Sequence, residues 1–467
     1  MNPSLNSLTD RFWQTLTLST LPLSRWQGSS YLSRPIGLLR TWRQGSWLMQ
    51  WADPIGAAFV AIAFALAPFV STALIGVLLI ASAGFWVVLT LSDDAETRFS
   101  PIHLLVLLYW AIASVATALS PVKAAAFSGW VKLTLYLILF ALMSRVLRSP
   151  RLRRWLIAVY LHVALIVSVY GLRQFRYFGV EEPATWTDPT SASADVTRVY
   201  SYLGNPNLLA GYLVAAVALS FAAIFAWREW GAKVLAGVMF VVNSACLVLT
   251  YSRGGWIGFV MAGFVCLVLL VYWWSPKLPK RWRKWAIPAT IGIVAIAVLL
   301  AVMAVDPLRD RAMSIFAGRE DSSNNFRINV WLSAIEMIRD RPIIGIGPGN
   351  DAFNKIYPLY MKPKYSALSA YSVLLETAIE TGVVGLVAFL WLLLVALHQG
   401  CLHLQRLRQT GNPDGYWLIA AIATLAGMMM HGLVDTVWYR PQVNMLWWLA
   451  MAIVASYGIC RQPQSRS

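Results

Sequence analysis

The chain has 467 residues, of which 58% are hydrophobic and only 13% charged, where a soluble globular protein carries roughly a quarter of its residues as charges. With a mean hydropathy of +0.60, it has too little polar surface to cover a water-soluble globule. The net charge of +17 is concentrated in short loops between apolar blocks, a pattern that records membrane insertion and excludes nucleic acid as a partner.

Residues 1–50 carry Arg11, Arg25, Arg34, Arg40 and Arg43 against the single acid Asp10. This segment reads as a cytoplasmic, partly amphipathic leader lying on anionic lipid. It lacks the short apolar core and small-residue cleavage site of a signal peptide. Residues 51–460 read as a single transmembrane domain, all-α and polytopic. About twelve spans are expected, at 53–70, 73–92, 102–119, 125–143, 155–172, 207–227, 234–251, 256–274, 285–305, 383–399, 416–434 and 443–459. Most approach the ~20 apolar residues that cross a bilayer. The first two are so close that they form a hairpin, and Lys132 in the fourth has to snorkel or face the bundle interior.

Orientation follows from the loops. Arg145, Arg148, Arg151, Arg153 and Arg154 follow span four, and Lys277, Lys280, Arg281, Arg283 and Lys284 follow span eight. With Arg461 and Arg466 in the 461–467 tail, they predict an inner-membrane protein with both termini cytoplasmic. The longer polar segments, 173–206 and the large loop 306–382, then face the periplasm. A helix is expected over 327–340, started by Ser323 and Asn324 and stopped by Pro342, with a second over 370–381. The four cysteines, Cys246, Cys266, Cys401 and Cys460, lie in or beside apolar blocks and imply neither disulfide nor metal site. No residue spacing implies a cofactor, and no tandem repeat is present.

Several polar motifs interrupt this pattern at the outer ends of spans. Arg253, in Tyr251-Ser252-Arg253-Gly254-Gly255-Trp256, is costly at membrane depth unless it is paired or lines a wet cavity. It reads as an anion ligand, the alternative being a tight hairpin with a snorkelling arginine. Arg327 falls in the first turn of the expected loop helix, where the dipole disfavours a cation. A carboxylate or a bound anion would hold it there, or it is an ordinary solvated cap. Gly345-Ile346-Gly347-Pro348-Gly349 lacks the strand–loop–helix context of a nucleotide loop and reads as a structural elbow. Glu376 and Glu380, one turn apart, are candidates for acid–base chemistry, with neutralisation of nearby arginines the favoured reading. His431 and Asp435 share the same spacing, as an oriented proton handler or a polar brace. Asn205 and Asn207 around Pro206 either cap span six or line a headgroup site.

The runs Tyr200-Ser201-Tyr202-Leu203-Gly204-Asn205-Pro206-Asn207-Leu208-Leu209-Ala210, Leu249–Trp256, Gly318–Arg327 and His431–Asp435 with Tyr439-Arg440-Pro441 resemble the cyanobacterial IctB family over nearly the whole chain. That family is named for inorganic-carbon transport and lies within the O-antigen ligase and polymerase superfamily, whose members transfer glycans from undecaprenyl diphosphate. The resemblance implies an O-antigen-ligase-like fold and puts Arg253 and Arg327 at a lipid-diphosphate site. Ligases carry a His-Asn pair nine residues before a Glu-x-Gly; here that place holds Tyr371 and Ser372, before Glu380-Thr381-Gly382. Tyrosine, with a pKa of about 10, is a poor base near neutrality. The resemblance therefore implies bicarbonate accumulation first. A lipid-linked glycan transferase is the alternative, with Tyr371, Glu380, His431 and Asp435 as candidate catalytic residues. A non-catalytic protein partner of a carbon-uptake complex is the third reading. Membrane lipids are partners in all three.

Overall fold

In hydrocarbon a backbone has to satisfy its own hydrogen bonds, and each apolar block of this sequence does so as a helix. A computed structural model describes residues 11–19, 37–93, 100–177, 198–304, 309–310, 313 and 318–459. The expectations resting on Arg25, Arg34, Cys460, Arg461, Arg466 and most of 173–206 lie outside the described residues.

After two short helices, Arg40–Gly45 and Trp47–Gln50, the spans follow in order. They are α1 (Ala52–Leu66), α2 (Thr72–Leu91), α3 (Pro101–Ala118), α4 (Lys123–Val146), α5 (Pro150–Tyr177), α6 (Pro206–Ala226), α7 (Trp230–Val248), α8 (Arg253–Trp274) and α9 (Lys280–Ala304). The loop segment contributes α10 (Ser322–Asp340) and α11 (Asn350–Ile356), and the chain returns through α12 (Val373–Thr410), α13 (Gly415–Gly432) and α14 (Pro441–Ser456). No strand occurs among the described residues. Ten of these helices are long and apolar enough to cross a membrane; α1 and α14 are shorter. The protein is an all-α polytopic membrane protein. Proline opens α3, α5, α6 and α14, where its missing N–H costs no hydrogen bond.

Helices α6 and α13 are apolar all round and occupy the centre. Helix α13 packs most extensively on α8, and glycine makes that possible. A Cβ on Gly427 would lie 2.7 Å from the Gly258 carbonyl oxygen, and a Cβ on Gly258 would meet the Gly427 carbonyl at the same distance. Small residues let helices approach closely where apolar lipid supplies little drive for association. At the end opposite the loop segment, Arg145 pairs with Asp53 at 3.1 Å and with Asp93, and Arg153 pairs with Asp414 at 3.1 Å.

Four local expectations need correction. The loop helix starts at Ser322, with Asp321 rather than Ser323 or Asn324 as its cap, because Asp321 Oδ1 accepts from Asn324 N at 2.8 Å. The helix expected at 370–381 begins at Val373 and runs into span ten as one element, broken at Gly382 (φ 69°, ψ −174°). Helix α11 was not anticipated. The described part of the leader also packs on protein: the Trp391 indole on α12 donates to the Leu16 carbonyl at 2.6 Å, and Trp13 meets His398 edge-on. An indole N–H in a span needs such a partner.

The break at Gly382 explains the glycine run upstream. It frees carbonyls of α12, which low-dielectric surroundings do not leave unpaired. Ile346 N donates to the Ile379 carbonyl and Gly347 N to the Glu380 carbonyl, both at 2.9 Å, while Val383 N donates to Pro342 O at 2.8 Å. The elbow is thus a structural wedge in α12, in keeping with the sequence reading.

Candidate functional site

The turn between α7 and α8 delivers the first side chain. Tyr251 adopts a left-handed φ of 47°, and Ser252 caps α8 with its Oγ accepting from Gly255 N at 3.2 Å. Arg253 is therefore the first residue of α8, and its side chain is buried. A cation at this end opposes the helix dipole, and Asp321 offsets it: Asp321 Oδ1 accepts from Arg253 Nη2 at 2.9 Å. One carboxylate oxygen thus caps α10 and holds Arg253, bringing two helix N-termini together.

The early start of α10 moves Arg327 to its second turn, where the dipole penalty is smaller. Its Nη1 donates to Ser323 Oγ at 2.7 Å, and Nη2 lies 3.9 Å from Asp435 Oδ2. Its Nε is buried with no hydrogen-bond partner. The two guanidinium groups are close enough to repel one another. Two mutually repelling arginines at converging helix N-termini favour an anion between them, and diphosphate oxygens suit their planar donors.

Tyr371 closes one side of this cluster. It has a left-handed φ of 51°, rare and strained for a bulky side chain. Its ring lies 6.0 Å from the Arg327 guanidinium and edge-on to Phe326. Burial, reinforced by the charge of Asp435, pushes its hydroxyl up to about 12. Tyr371 therefore stays protonated near neutrality and is not a base.

His431 and Asp435 do not pair as expected. Helix α13 ends at Gly432, so the i, i+4 relation never forms, and Asp435 turns to Arg327. His431 is fully buried, with both ring nitrogens lacking a hydrogen-bond partner. It fits against Gly254: a Cβ there would come within 2.7 Å of the imidazole. Asn205 takes the capping role, its Oδ1 accepting from Asn207 N (2.8 Å) and Leu208 N (3.2 Å). Asn207 Oδ1 accepts from Arg198 Nη2 at 3.0 Å, and Arg198 also donates to the Thr250 carbonyl at 3.1 Å. Arg198 was not singled out in the sequence because it sits in a polar loop, where a cation draws no attention.

The glutamates also depart from expectation. Among the described residues, neither forms an ion pair with an arginine. Glu376 Oε2 accepts from Ala370 N at 2.6 Å, and Glu380 Oε1 accepts from Gly349 N at 2.7 Å. Both line a cavity of about 620 Å³ at the loop end of the bundle. Its wall includes Lys132, which pairs with Asp351 at 3.0 Å. That is the partner a lysine within an apolar block requires. Among the described residues no three His, Cys, Asp or Glu side chains come together as a metal site.

Residues 238–390 match the protein-family model described as O-antigen ligase. The matched segment runs from α7 into α12 and contains Arg253, Asp321, Arg327, Tyr371, Glu376 and Glu380. This part of the chain is thus similar to O-antigen ligases. No curated protein matches the chain.

Proposed function

We propose that the protein is a membrane transferase that moves a glycan from a lipid-diphosphate donor to an acceptor hydroxyl at the loop end of the bundle. The observation that carries this reading is the convergence of Arg253 and Arg327 on the start of α10, through Asp321 and Ser323, inside the segment similar to O-antigen ligases. Their charge would bind the diphosphate and stabilise it as the leaving group. Asp321 holds the Arg253 guanidinium, and Asp435 faces that of Arg327, whose Nε is unpartnered. The donor's lipid tail would remain in the surrounding bilayer.

Inorganic-carbon accumulation rests on motif resemblance alone. The purified protein in nanodiscs, supplied with undecaprenyl-diphosphate-linked glycan and an acceptor saccharide, should yield glycosylated acceptor. Arg253→Ala or Arg327→Ala should lower transfer by about 10²-fold or more, the scale of losing one preorganised donor to developing charge. Arg253→Lys should recover only part of it, because lysine cannot reproduce two-pronged contacts. Undiminished transfer in the double alanine variant would overturn the reading. So would bicarbonate flux through liposomes holding this protein alone, with no transfer.

A further inference from the structure

We infer that the cavity beside the arginine cluster takes a saccharide acceptor and that Glu376 accepts the proton of its attacking hydroxyl. This inference rests on the transferase reading and adds to it the acceptor's position and the base.

The cavity's volume, about 620 Å³, is within the ~300–1,000 Å³ typical of small-ligand clefts. Trp438, Trp447 and Tyr109 supply flat apolar faces, and Asn350 and Asn354 supply amide donors and acceptors. Flat rings beside amides and carboxylates suit a polyhydroxylated ligand with apolar C–H faces. Two stretches of chain join this cavity to the arginine cluster. Asp435 pairs with Arg327 while the next residue, Thr436, lines the cavity. Tyr371 packs beside Arg327 while Ala370, just before it, donates its N–H to Glu376. A donor diphosphate on the arginines would therefore adjoin an acceptor in the cavity.

Transfer needs a base, and the other candidates are unsuitable. Tyr371 is protonated near neutrality, and His431 is not part of the cavity wall. The Asp351 carboxyl is held below the usual carboxylate range by its hydrogen bond from Lys132, which makes it a weak base. Glu380 Oε1 accepts from Gly349 N, and neither of its oxygens is buried without a partner. Glu376 is only 6% exposed and lines the cavity, and its Oε1 has no hydrogen-bond partner while Oε2 is fixed by Ala370 N. A buried carboxylate oxygen left without a partner is costly, and an incoming hydroxyl would satisfy it.

In the step, the acceptor oxygen bonds to the donor's anomeric carbon while that carbon's bond to the phosphate oxygen breaks. The bonding pair leaves on the lipid diphosphate held by Arg253 and Arg327, and the hydroxyl proton moves to Glu376 Oε1.

The test uses the full-length protein in nanodiscs, with undecaprenyl diphosphate as the binding probe and the glycan-linked form for transfer. Glu376→Gln keeps an oxygen for Ala370 N but removes the base. It should lower kcat by about 10²-fold or more, the usual size of general-base assistance, with undecaprenyl diphosphate Kd unchanged and partial recovery in Glu376→Asp. Gly76 lines the same cavity, and nothing lies within 4 Å of a Cβ built there. Gly76→Phe should raise the acceptor KM about tenfold and leave donor Kd alone, the signature of lost ground-state binding. If wild-type protein transfers glycan and Glu376→Gln does so at an undiminished rate, the inference fails and the transferase reading stands. Loss of donor binding in Glu376→Gln would mark the residue as structural and also overturn the inference. Wild-type protein that binds donor but never transfers would remove both.

Discussion

At the scale of single residues, three carboxylates do different work because of what each one touches. Asp321 serves two positive partners, the α10 N-terminus and Arg253. Asp435 faces Arg327, and Glu376 keeps one oxygen without a partner beside a cavity. Tyr371 shows how environment cancels a role suggested by position. Its hydroxyl, pushed up to about 12 by burial and by Asp435, is neutral throughout the working range. Tyr371→Phe should therefore keep transfer within about tenfold of wild type, well short of what loss of a base costs. The pH–rate profile should carry no limb from this hydroxyl below its ordinary value of about 10. A loss beyond 10²-fold in Tyr371→Phe would give the hydroxyl a direct part in the reaction, contrary to this account. Because the folded state raises this pKa, any stability linked to it is complete below the unfolded value and is lost as pH rises towards 12.

At the scale of elements, the break in α12 organises the site. Gly382 puts Glu376 and Glu380 on a short helical lead-in to the span, and the wedge at 345–347 seals the carbonyls exposed by the break. Its φ of 69° with ψ of −174° is open essentially to glycine alone. A Cβ there would also collide with the Ile343 carbonyl. Gly382→Ala should cost at least about 1–3 kcal/mol, read as a lower midpoint in thermal unfolding in detergent and as poorer yield. An unchanged midpoint would mean that the break is not needed for folding. The elbow was legible in the sequence as a turn, because three glycines around a proline cannot continue a helix. Its docking partner was not, since the break in α12 leaves no periodicity signal.

At the scale of the molecule, the basic loops and the polar loop segment lie at opposite ends of the bundle. If the positive charges stay in the cytoplasm, the arginine cluster and the cavity open outside it. Single cysteines introduced within 276–284 and within 350–370 should then label from opposite sides of intact cells with a membrane-impermeant thiol reagent. Labelling of both from outside would reverse this topology. Helix α9 stands apart from the core, with Ile293, Leu299, Leu300 and Met303 exposed along it, a surface suited to lipid.

Composition and hydropathy by themselves determined the helical membrane architecture and the positions of the ten helices long and apolar enough to cross a membrane, because spanning a bilayer leaves the backbone few alternatives. They also drew attention to Arg253 and Lys132, since a cation among apolar residues must have a partner, and the helix dipole did the same for Arg327. Which partner it has is a long-range question that spacing cannot answer. Asp321 lies 68 positions from Arg253 and Asp351 lies 219 from Lys132. The expected pairing of His431 with Asp435 failed for a local reason, because α13 stops one residue beyond the histidine. Only the packed bundle turned Asp435 to Arg327 and left Glu376 facing a cavity, because the contacts that fix those side chains come from helices that meet only in three dimensions.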